Sequence, residues 1–388
     1  MSDLVSPELE AQAVAWRRHL HANPELSFEE HETSRFVERT LRAIGAYEIE
    51  RPTATSVVAR LRGDRPGKVL ALRADIDALP IHEETGLPFA SLVPGVMHAC
   101  GHDGHTAMLL AAATLLAERR AELGGEVRLV FQHAEEVPPG GARELVAAGV
   151  MDGVDLVVGA HLMSGYPLGQ VVAQPGPLLA ASDTIAVEVR GSGGHAAYPH
   201  TTADPMVAAA RAIAALQHVV AREVDPLDSA VVSVTQVHGG VADNVIPESV
   251  SFRGTVRTLR ASTRAAVRTA LERILRGVGE AHGVRIELSY QEGYDAVVND
   301  PEVAAVVESA ARREVGEEAL ARVSPVMGGE DFSAYLAAAP GAFFFVGTRS
   351  DDPATAVPHH HPLFAIDEAA LRTGIAVLTR TALDVLSN

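Results

Sequence analysis

One stretch of nine residues, 97–105, concentrates side chains that can bind a metal ion. Its sequence is MHACGHDGH, and it contains Cys100, the only cysteine of the 388 residues. Cys100 and His102 flank Gly101, so a tight turn would direct a thiolate and an imidazole at the same ion. Two alternatives stay open from these residues alone. In the first alternative, Cys100 serves only as a small buried hydrophobic residue. In the second, it is a nucleophile that a nearby histidine activates.

Further candidate groups follow three predicted strands, near residues 70, 130 and 157. They are four acids and a histidine: Asp75, Asp77, Glu135, Glu136 and His161. The carboxyl ends of parallel strands meet at one edge of a sheet, where open α/β sheets bind their ligands. The topology therefore predicts that these side chains converge. The histidine loop 359–361 offers one more ligand.

The combined set suits a pair of divalent ions such as Zn²⁺ or Mn²⁺. Five ligands are available: Cys100, His102, Glu136, His161 and one histidine of 359–361. Where a strand end bends, one of two adjacent glutamates can bind metal while the other hydrogen-bonds the attacking water. Hydrolysis of an amide with metal assistance requires this division of roles.

The elements that must position these residues alternate between strand and helix. Ser6 and Pro7 predict the start of a first helix, and the capping box 27–30 predicts a second helix that ends at Gly45. A third helix is expected over 106–122. This alternation predicts an α/β fold with a mixed, mostly parallel sheet and helices on both faces.

The pattern changes after about residue 182. Elements between 183 and 295 follow the order β-α-β-β-α-β, which predicts an α+β split-βαβ (ferredoxin-like) domain inserted into the first. The predicted organisation is therefore 1–182 and 296–388 for the metal-binding domain, with 183–295 inserted between them.

Composition excludes several classes of function. The net charge of −18 argues against a nucleic-acid partner, because phosphate binding needs clustered positive charge. No uninterrupted apolar run is long enough to span a membrane. A single cysteine excludes an internal disulfide, and no secretory signal is visible, so a cytoplasmic location is expected.

The chain resembles the aminoacylase/carboxypeptidase superfamily of metallohydrolases. Within it, the sequence is most similar to the amidohydrolase branch of hippurate hydrolases, indoleacetyl-amino-acid hydrolases and N-acetyl-diaminopimelate deacetylases. The resemblance covers nearly the whole chain in the correct order. The motifs that carry it are RRHLH (17–21), NPE (23–25), LRADIDALP (72–80), MHACGHDGH (97–105), AEE (134–136), GGHAAYPH (193–200), NVIP (244–247), MGGEDF (327–332) and HHHP (359–362).

This resemblance implies a zinc-exopeptidase-like fold and roles for the clustered residues. It implies two divalent ions per subunit, of Zn, Mn, Co or Ni. The implied ligands are Cys100, His102, Glu136, His161 and His360. Glu135 is implied as the general base, and Asp77 as the acid that orients a ligand histidine, a common arrangement around metal sites.

The resemblance also implies substrate contacts and a subunit arrangement. His195 and Asn244 are implied to hold the substrate carbonyl and carboxylate, and Arg257 to clamp a carboxylate. Gly328 and Gly329 are implied to line the substrate site. A homodimer is expected through the inserted domain, with His195 reaching the partner's active site.

Two departures from the family pattern leave questions open. The family usually has proline before the Ala-Glu-Glu motif, whereas this chain has His133, an imidazole with no assigned role. The triple histidine also obscures the last ligand. In an extended loop His359 and His361 share one face and His360 faces the other, so geometry does not choose between them.

The sequence predicts an amidohydrolase that cleaves N-acyl amino acids, using a metal-activated water and Glu135 as base. A dipeptidase or carboxypeptidase on the same scaffold is the first alternative. An inactive metal-binding relative and a cysteine-nucleophile amidase are the others, although the presence of Glu135 argues against the inactive relative. The acyl group, the preferred amino acid and the metal are not predicted.

Overall fold

The computed structural model describes residues 4–387, which form two compact units. The smaller unit comprises Pro177–Val297 and Pro325–Glu330, and the larger unit comprises the rest. The expected bounds of the inserted domain, 183 and 295, lie a few residues inside these. Segment Pro325–Glu330 had been placed in the metal-binding domain. It belongs to the smaller unit, where the backbone of 178–180 pairs with that of 326–328.

The described residues contain nine α-helices and fifteen strands. The helices are α1 (Pro7–Ala22), α2 (His31–Ile44), α3 (His102–Glu118), α4 (Gly141–Ala147), α5 (Pro205–Arg222), α6 (Ala261–His282), α7 (Pro301–Val315), α8 (Ser333–Leu336) and α9 (Ala370–Leu386). The strands are β1 (Glu48–Glu50), β2 (Val57–Arg62), β3 (Arg65–Asp75), β4 (Gly124–Gln132), β5 (Leu156–Pro167), β6 (Val171–Val172), β7 (Gly176–Leu179), β8 (Ala181–Arg190), β9 (Gly194–His195), β10 (Ala230–Gly239), β11 (Val245–Ile246), β12 (Ser249–Thr258), β13 (Arg285–Tyr294), β14 (Val297–Asn299) and β15 (Gly341–Arg349).

The larger unit is built on a seven-stranded sheet in the order β1-β2-β4-β3-β5-β15-β6. Its central strands β4, β3, β5 and β15 are parallel, and antiparallel strands lie at both sides. Leu70, Leu72 and Ala74 face the core that contains α3 and α9. Arg73 faces the other side, where it binds Asp331 just before α8. Helices therefore cover both faces, which confirms the predicted fold class.

Local chemistry explains where the helices begin. Ser6 caps α1 through Leu9 N, and Asp204 and Asp300 cap α5 and α7, each followed by proline. The predicted capping box of α2 is wrong. The helix begins at His31, and the Glu25 carboxylate accepts its N–H groups from residues 32 and 33.

The third helix was also predicted a turn too late. It begins at His102 and ends at Glu118, rather than spanning 106–122, so a candidate ligand occupies its first position. The N-cap is Gly101, whose φ of 93° is in the left-handed region that glycine tolerates. The turn thus directs the chain from Cys100 straight into the helix.

The smaller unit has the predicted β-α-β-β-α-β order. Its four-stranded antiparallel sheet has the order β10-β12-β8-β13, and α5 and α6 pack against it around a separate apolar core. A two-stranded ribbon, β9 with β11, joins two of its loops. This is the split-βαβ arrangement. Among the described residues, no helix is both long and apolar enough to cross a membrane.

Candidate metal centre

His102 is oriented by Asp77 so that one ring nitrogen faces the other candidate ligands. Its Nδ1 lies 2.9 Å from the Asp77 carbonyl oxygen and 3.2 Å from Oδ1 of the same residue. Its Nε2 is buried and has no hydrogen-bond partner among the described residues. Burying an unpaired ring nitrogen is unfavourable unless a ligand satisfies it. A metal ion bound at Nε2 would do so, with Asp77 fixing the tautomer.

His161 presents its Nε2 in the same way. Its Nδ1 lies 2.8 Å from the carbonyl oxygen of Leu162, and its Nε2 lies 3.5 Å from Cys100 Sγ. The sequence had placed His161 after its strand, but β5 continues to Pro167. Pairing with β3 stops at Gly159, whereas pairing with β15 continues through His161 opposite Phe345. His161 therefore lies two residues beyond the last pair between β5 and β3, while its backbone remains paired with β15.

The two glutamates follow β4 on a sharply bent segment. Ala134 has a φ of 48°, in the left-handed region, and the chain then turns Glu135 and Glu136 towards His102. Ligand atoms of these three residues all lie within 4.8 Å of one another. Glu136 is held further by its backbone N–H, which donates to Asp77 Oδ2 at 3.0 Å.

The histidine loop is not extended, and this separates its three members. His360 has a φ of 62°, which directs its Nε2 to 3.2 Å from Glu136 Oε1. His359 is half-buried, packs against Phe364, and accepts from Ser164 N at 3.3 Å. His361 is exposed, and its Nδ1 accepts from Leu363 N. The geometry therefore favours His360 as the residue beside the glutamate.

Cys100 lies in two groups of potential ligands at once. One group joins it to His102 and His161, and the other joins it to Glu136 and His360, with ligand atoms within 4.8 Å in each group. Cys100 is therefore the member that these two groups have in common. The five expected ligands thus occur together at one place in the larger unit.

The acidic side chains of the cluster favour the binding of positive charge. Burial raises the pKa of the Cys100 thiol well above its ordinary value, and Glu136 and Glu135 raise it further. Burial lowers the pKa of His102, but Asp75 and Asp77 raise it more, to about 10. Divalent cations would neutralise this acidic site and stabilise a thiolate. The donor set of sulfur, imidazole and carboxylate fits metals such as zinc.

Other nearby histidines differ in their partners. His105 donates or accepts at both nitrogens, 2.6 Å from Asp75 Oδ1 and 2.9 Å from Leu162 N, so neither is available to a metal. His98 differs from His105, because both of its buried ring nitrogens lack hydrogen-bond partners among the described residues.

His133, the residue that departs from the family pattern, is fixed outside the ligand groups. Its Nε2 lies 2.7 Å from Glu144 Oε2 in α4, and its Nδ1 lies 3.5 Å from Thr53 Oγ1. Phe28 contacts the ring edge to face. The imidazole therefore links α4 to the loop before β2, a structural contact that proline could not make.

The substrate contacts expected from the resemblance separate into two sets within the smaller unit. His195 and Asn244 are neighbours, since β9 pairs with β11 and Ala196 N donates to Asn244 O at 3.0 Å. Both line an open groove of about 850 Å³. His195 is exposed, and its Nδ1 accepts from Ala197 N.

The second set lies around Arg257, near the end of β12 in the four-stranded sheet. Arg257 pairs with Ser182, and a Cβ added to Gly329 would lie 2.9 Å from Ser182 Cβ. Gly328 O accepts from Ala180 N at 2.9 Å. Burial lowers the pKa of Arg257, which Asp183 partly offsets.

The larger unit is an α/β sheet whose edge carries a centre lined by sulfur, nitrogen and oxygen atoms, and the smaller unit is a split-βαβ domain. This combination is typical of a class of metal-dependent hydrolases. The chain belongs to peptidase family M20/M25/M40, whose model matches residues 71–384. This confirms the resemblance. The prediction of metal cofactors is confirmed as well, without the identity of the metal.

Individual relatives cover most of the chain. It is 52% identical over 292 residues to an N-acyl-L-amino acid amidohydrolase of Geobacillus stearothermophilus, covering 75% of this chain and 79% of the relative. It is 41% identical over 371 residues to thermostable carboxypeptidase 2 of Saccharolobus solfataricus, covering 95% and 93%. The solved YXEP protein of Bacillus subtilis, described as a dinuclear metal-binding peptidase, matches with a TM-score of 0.88 and 37% identity, covering 98% and 99%.

Proposed function

We propose that this protein hydrolyses N-acyl amino acids to a carboxylic acid and a free amino acid. The observation that carries the proposal is the position of Glu135. Its carboxylate lies within 4.8 Å of the ligand atoms of His102 and Glu136. Glu135 is not one of the five residues proposed as ligands of the two ions. An extra carboxylate at this place supplies a base for a water molecule. The relative named as an N-acyl-L-amino acid amidohydrolase supports the same substrate class.

The residues divide the chemistry between them. Cys100, His102, Glu136, His161 and His360 would hold two divalent ions, which would supply a water of lowered pKa and a Lewis acid for the substrate carbonyl. Glu135 accepts the proton of the attacking water and returns it to the leaving amine, which makes the amine a better leaving group. Asp77 keeps His102 and the backbone of Glu136 in place. Zinc, manganese, cobalt and nickel are the candidate metals for this donor set of sulfur, nitrogen and oxygen.

The two sets of substrate contacts favour a dimer. His195 and Asn244 adjoin the start of β12, whereas Arg257 lies eight residues further along that strand, roughly 26 Å away at the usual rise per residue. One small N-acyl amino acid cannot span this distance. We propose that Arg257, Gly328 and Gly329 serve the site of their own chain, and that His195 and Asn244 serve the partner's site in a homodimer.

The exposed edge strand β10 offers a surface for such pairing, since it ends the four-stranded sheet and Val237 on it is half exposed. The inserted domain, in this proposal, is the dimerisation domain. We also propose a cytoplasmic location. The chain has a single cysteine, which a metal centre would hold as a reduced thiolate, and reduced thiols are typical of the cytoplasm.

A panel of substrates tests the function. The metal-free protein would be reloaded separately with Zn²⁺, Mn²⁺, Co²⁺ or Ni²⁺ and assayed with acetyl- and benzoyl-amino acids and with matched dipeptides. We expect hydrolysis of the N-acyl amino acids, and its loss with a chelator. Faster cleavage of dipeptides with a free amino terminus would favour the alternative, a dipeptidase or carboxypeptidase, which the relative named thermostable carboxypeptidase 2 supports.

A further inference from the structure

The bend that carries the two glutamates begins at an unfavourable backbone conformation. Among described residues other than glycine, three have a positive φ: Phe28 at 70°, Ala134 at 48° and His360 at 62°. The left-handed region costs an L-residue roughly 1–2 kcal/mol. Ala134 adopts it directly before Glu135, so interactions elsewhere must hold this residue in place.

One carboxylate oxygen contacts two of these three residues. Oε1 of Glu30 accepts from Ala134 N at 2.8 Å and from Phe28 N at 2.9 Å. The Glu30 residue is fully buried, with 0% exposure. Hydrogen bonds from backbone N–H groups to a buried carboxylate are stronger than those between neutral groups. Glu30 therefore joins the loop before α2 to the bend that follows β4.

The other side of the bend is held from the same loop. Ser27 Oγ donates to Asp77 Oδ2 at 2.7 Å, and that oxygen accepts from Glu136 N at 3.0 Å. Segment 134–136 is thus fixed by Glu30 at its first backbone N–H and by Asp77 at its last. Glu135 lies between these two anchors.

Helix capping does not account for the Glu30 side chain. Glu30 occupies the N-cap position of α2, but its side chain makes no capping hydrogen bond. The helix N–H groups of Glu32 and Thr33 are bound instead by Glu25. The Glu30 carboxylate is directed away from the helix that it precedes and towards Ala134.

We propose that Glu30 is a positioning residue, which holds Ala134 in its left-handed conformation and thereby directs Glu135 and Glu136 into the metal centre. The proposal rests on the proposed function for the role of Glu135. It assigns to the loop of residues 27–30 the task of shaping the reactive segment.

The test compares Glu30→Ala, Glu30→Gln and the matched control Glu25→Ala. Glu25 also lies between α1 and α2, and its side chain hydrogen-bonds the N–H groups of Glu32 and Thr33, whereas that of Glu30 bonds Ala134. In zinc-loaded full-length protein, we expect Glu30→Ala to lower kcat roughly 10–100-fold with little change in KM, as expected for a misplaced catalytic group. Glu30→Gln, whose amide oxygen can accept both bonds, should recover most of this loss.

Two further measurements separate positioning from a general loss of stability. Cobalt-loaded Glu30→Ala should show an altered visible spectrum, because Glu136 shifts, whereas cobalt-loaded Glu25→Ala should match the unmutated protein. Adding Ala134→Gly to Glu30→Ala should restore part of kcat, since glycine adopts the left-handed region freely.

Equal losses of kcat in Glu30→Ala and Glu25→Ala that follow their losses in thermal stability would overturn the proposal. So would an unchanged cobalt spectrum in Glu30→Ala. The spectrum needs no substrate, so it tests the positioning role even if the unmutated protein fails to hydrolyse any N-acyl amino acid.

Discussion

At the scale of single residues, the adjacent glutamates should separate catalysis from metal binding. Glu135→Gln retains shape but cannot accept a proton, so kcat should fall about 10²–10⁴-fold with metal content unchanged. Glu136→Gln should lose metal, because a neutral amide replaces an anionic ligand. The metal content of both variants, measured by elemental analysis, is compared with their kcat values to separate metal binding from catalysis. Metal loss in Glu135→Gln, with normal activity per bound ion, would show that the two roles are reversed.

The histidine loop permits a second comparison between neighbours. Alanine at position 360 should cause the largest loss of metal, since His360 faces Glu136. Alanine at 359 should instead lower thermal stability, because that half-buried ring packs against Phe364. Alanine at the exposed position 361 serves as the control. Greater metal loss at 359 than at 360 would contradict the arrangement seen here.

The residues of the centre could be predicted to different extents. Strand order along the chain was enough to bring the acids and His161 to one edge of the sheet. The choice among the three histidines was not predictable from alternation, because the loop adopts a positive φ at His360 that an extended chain would not. The contact of Glu30 with Ala134 was missed as well. In the sequence Glu30 is only the last residue of a motif interpreted as a cap, and nothing nearby indicates its contact with Ala134.

At the scale of elements, Asp183 on β8 should make the smaller unit sensitive to acid. Burial raises the pKa of its carboxyl, but hydrogen bonds from Arg264, Tyr290 and the backbone of Gly293 outweigh burial, so its pKa is lowered. A carboxylate with a lowered pKa stabilises the folded state above its unfolded pKa of about 4, and this contribution disappears as pH falls through the folded value.

Urea unfolding as a function of pH measures this effect. Asp183→Asn should destabilise the protein at pH 7, and the difference from the unmutated protein should shrink below about pH 4. Asp295→Asn is the matched control, because Asp295 pairs with the same Arg264 but is exposed, and exposed pairs contribute little. A destabilisation by Asp183→Asn that stays constant down to acid pH would show that packing, rather than charge, is responsible.

Elements with strong local signals were predicted well. Helix α1 begins at Pro7 as expected, because Ser6 caps it and Pro7 fixes its first position. The start of α2 was mispredicted since Ser27 binds Asp77, a residue 50 positions away. Tertiary contacts of this kind compete with local capping and leave no trace in the neighbouring sequence.

At the scale of the whole molecule, complementation between inactive variants tests the dimer. His195→Ala and Glu135→Gln should each be inactive alone. After subunit exchange, every hybrid dimer has one site that combines an intact Glu135 with the partner's intact His195. Random exchange should restore roughly a quarter of the unmutated activity. Recovery would be measured after mild denaturant treatment to promote exchange, with metal content checked in each sample.

A mixture that cannot form a complete site controls for this result. His195→Ala combined with the double variant carrying both changes lacks every intact His195, so it should stay inactive. Hybrids that exchange yet remain inactive, or a monomer with full activity, would show that His195 does not act in the partner's site.

The order of the proposed ligands along the chain also constrains when the centre can form during protein synthesis. Cys100, His102, Glu136 and His161 all precede the smaller unit, and His360 follows it. Bringing His360 to Glu136 closes a loop that contains the whole smaller unit, at an entropic cost that grows slowly with loop length. A nascent chain that has not yet emerged past residue 360 holds only four of the five ligands. Tight metal binding is then a late event, and it marks a chain whose last segment has folded back.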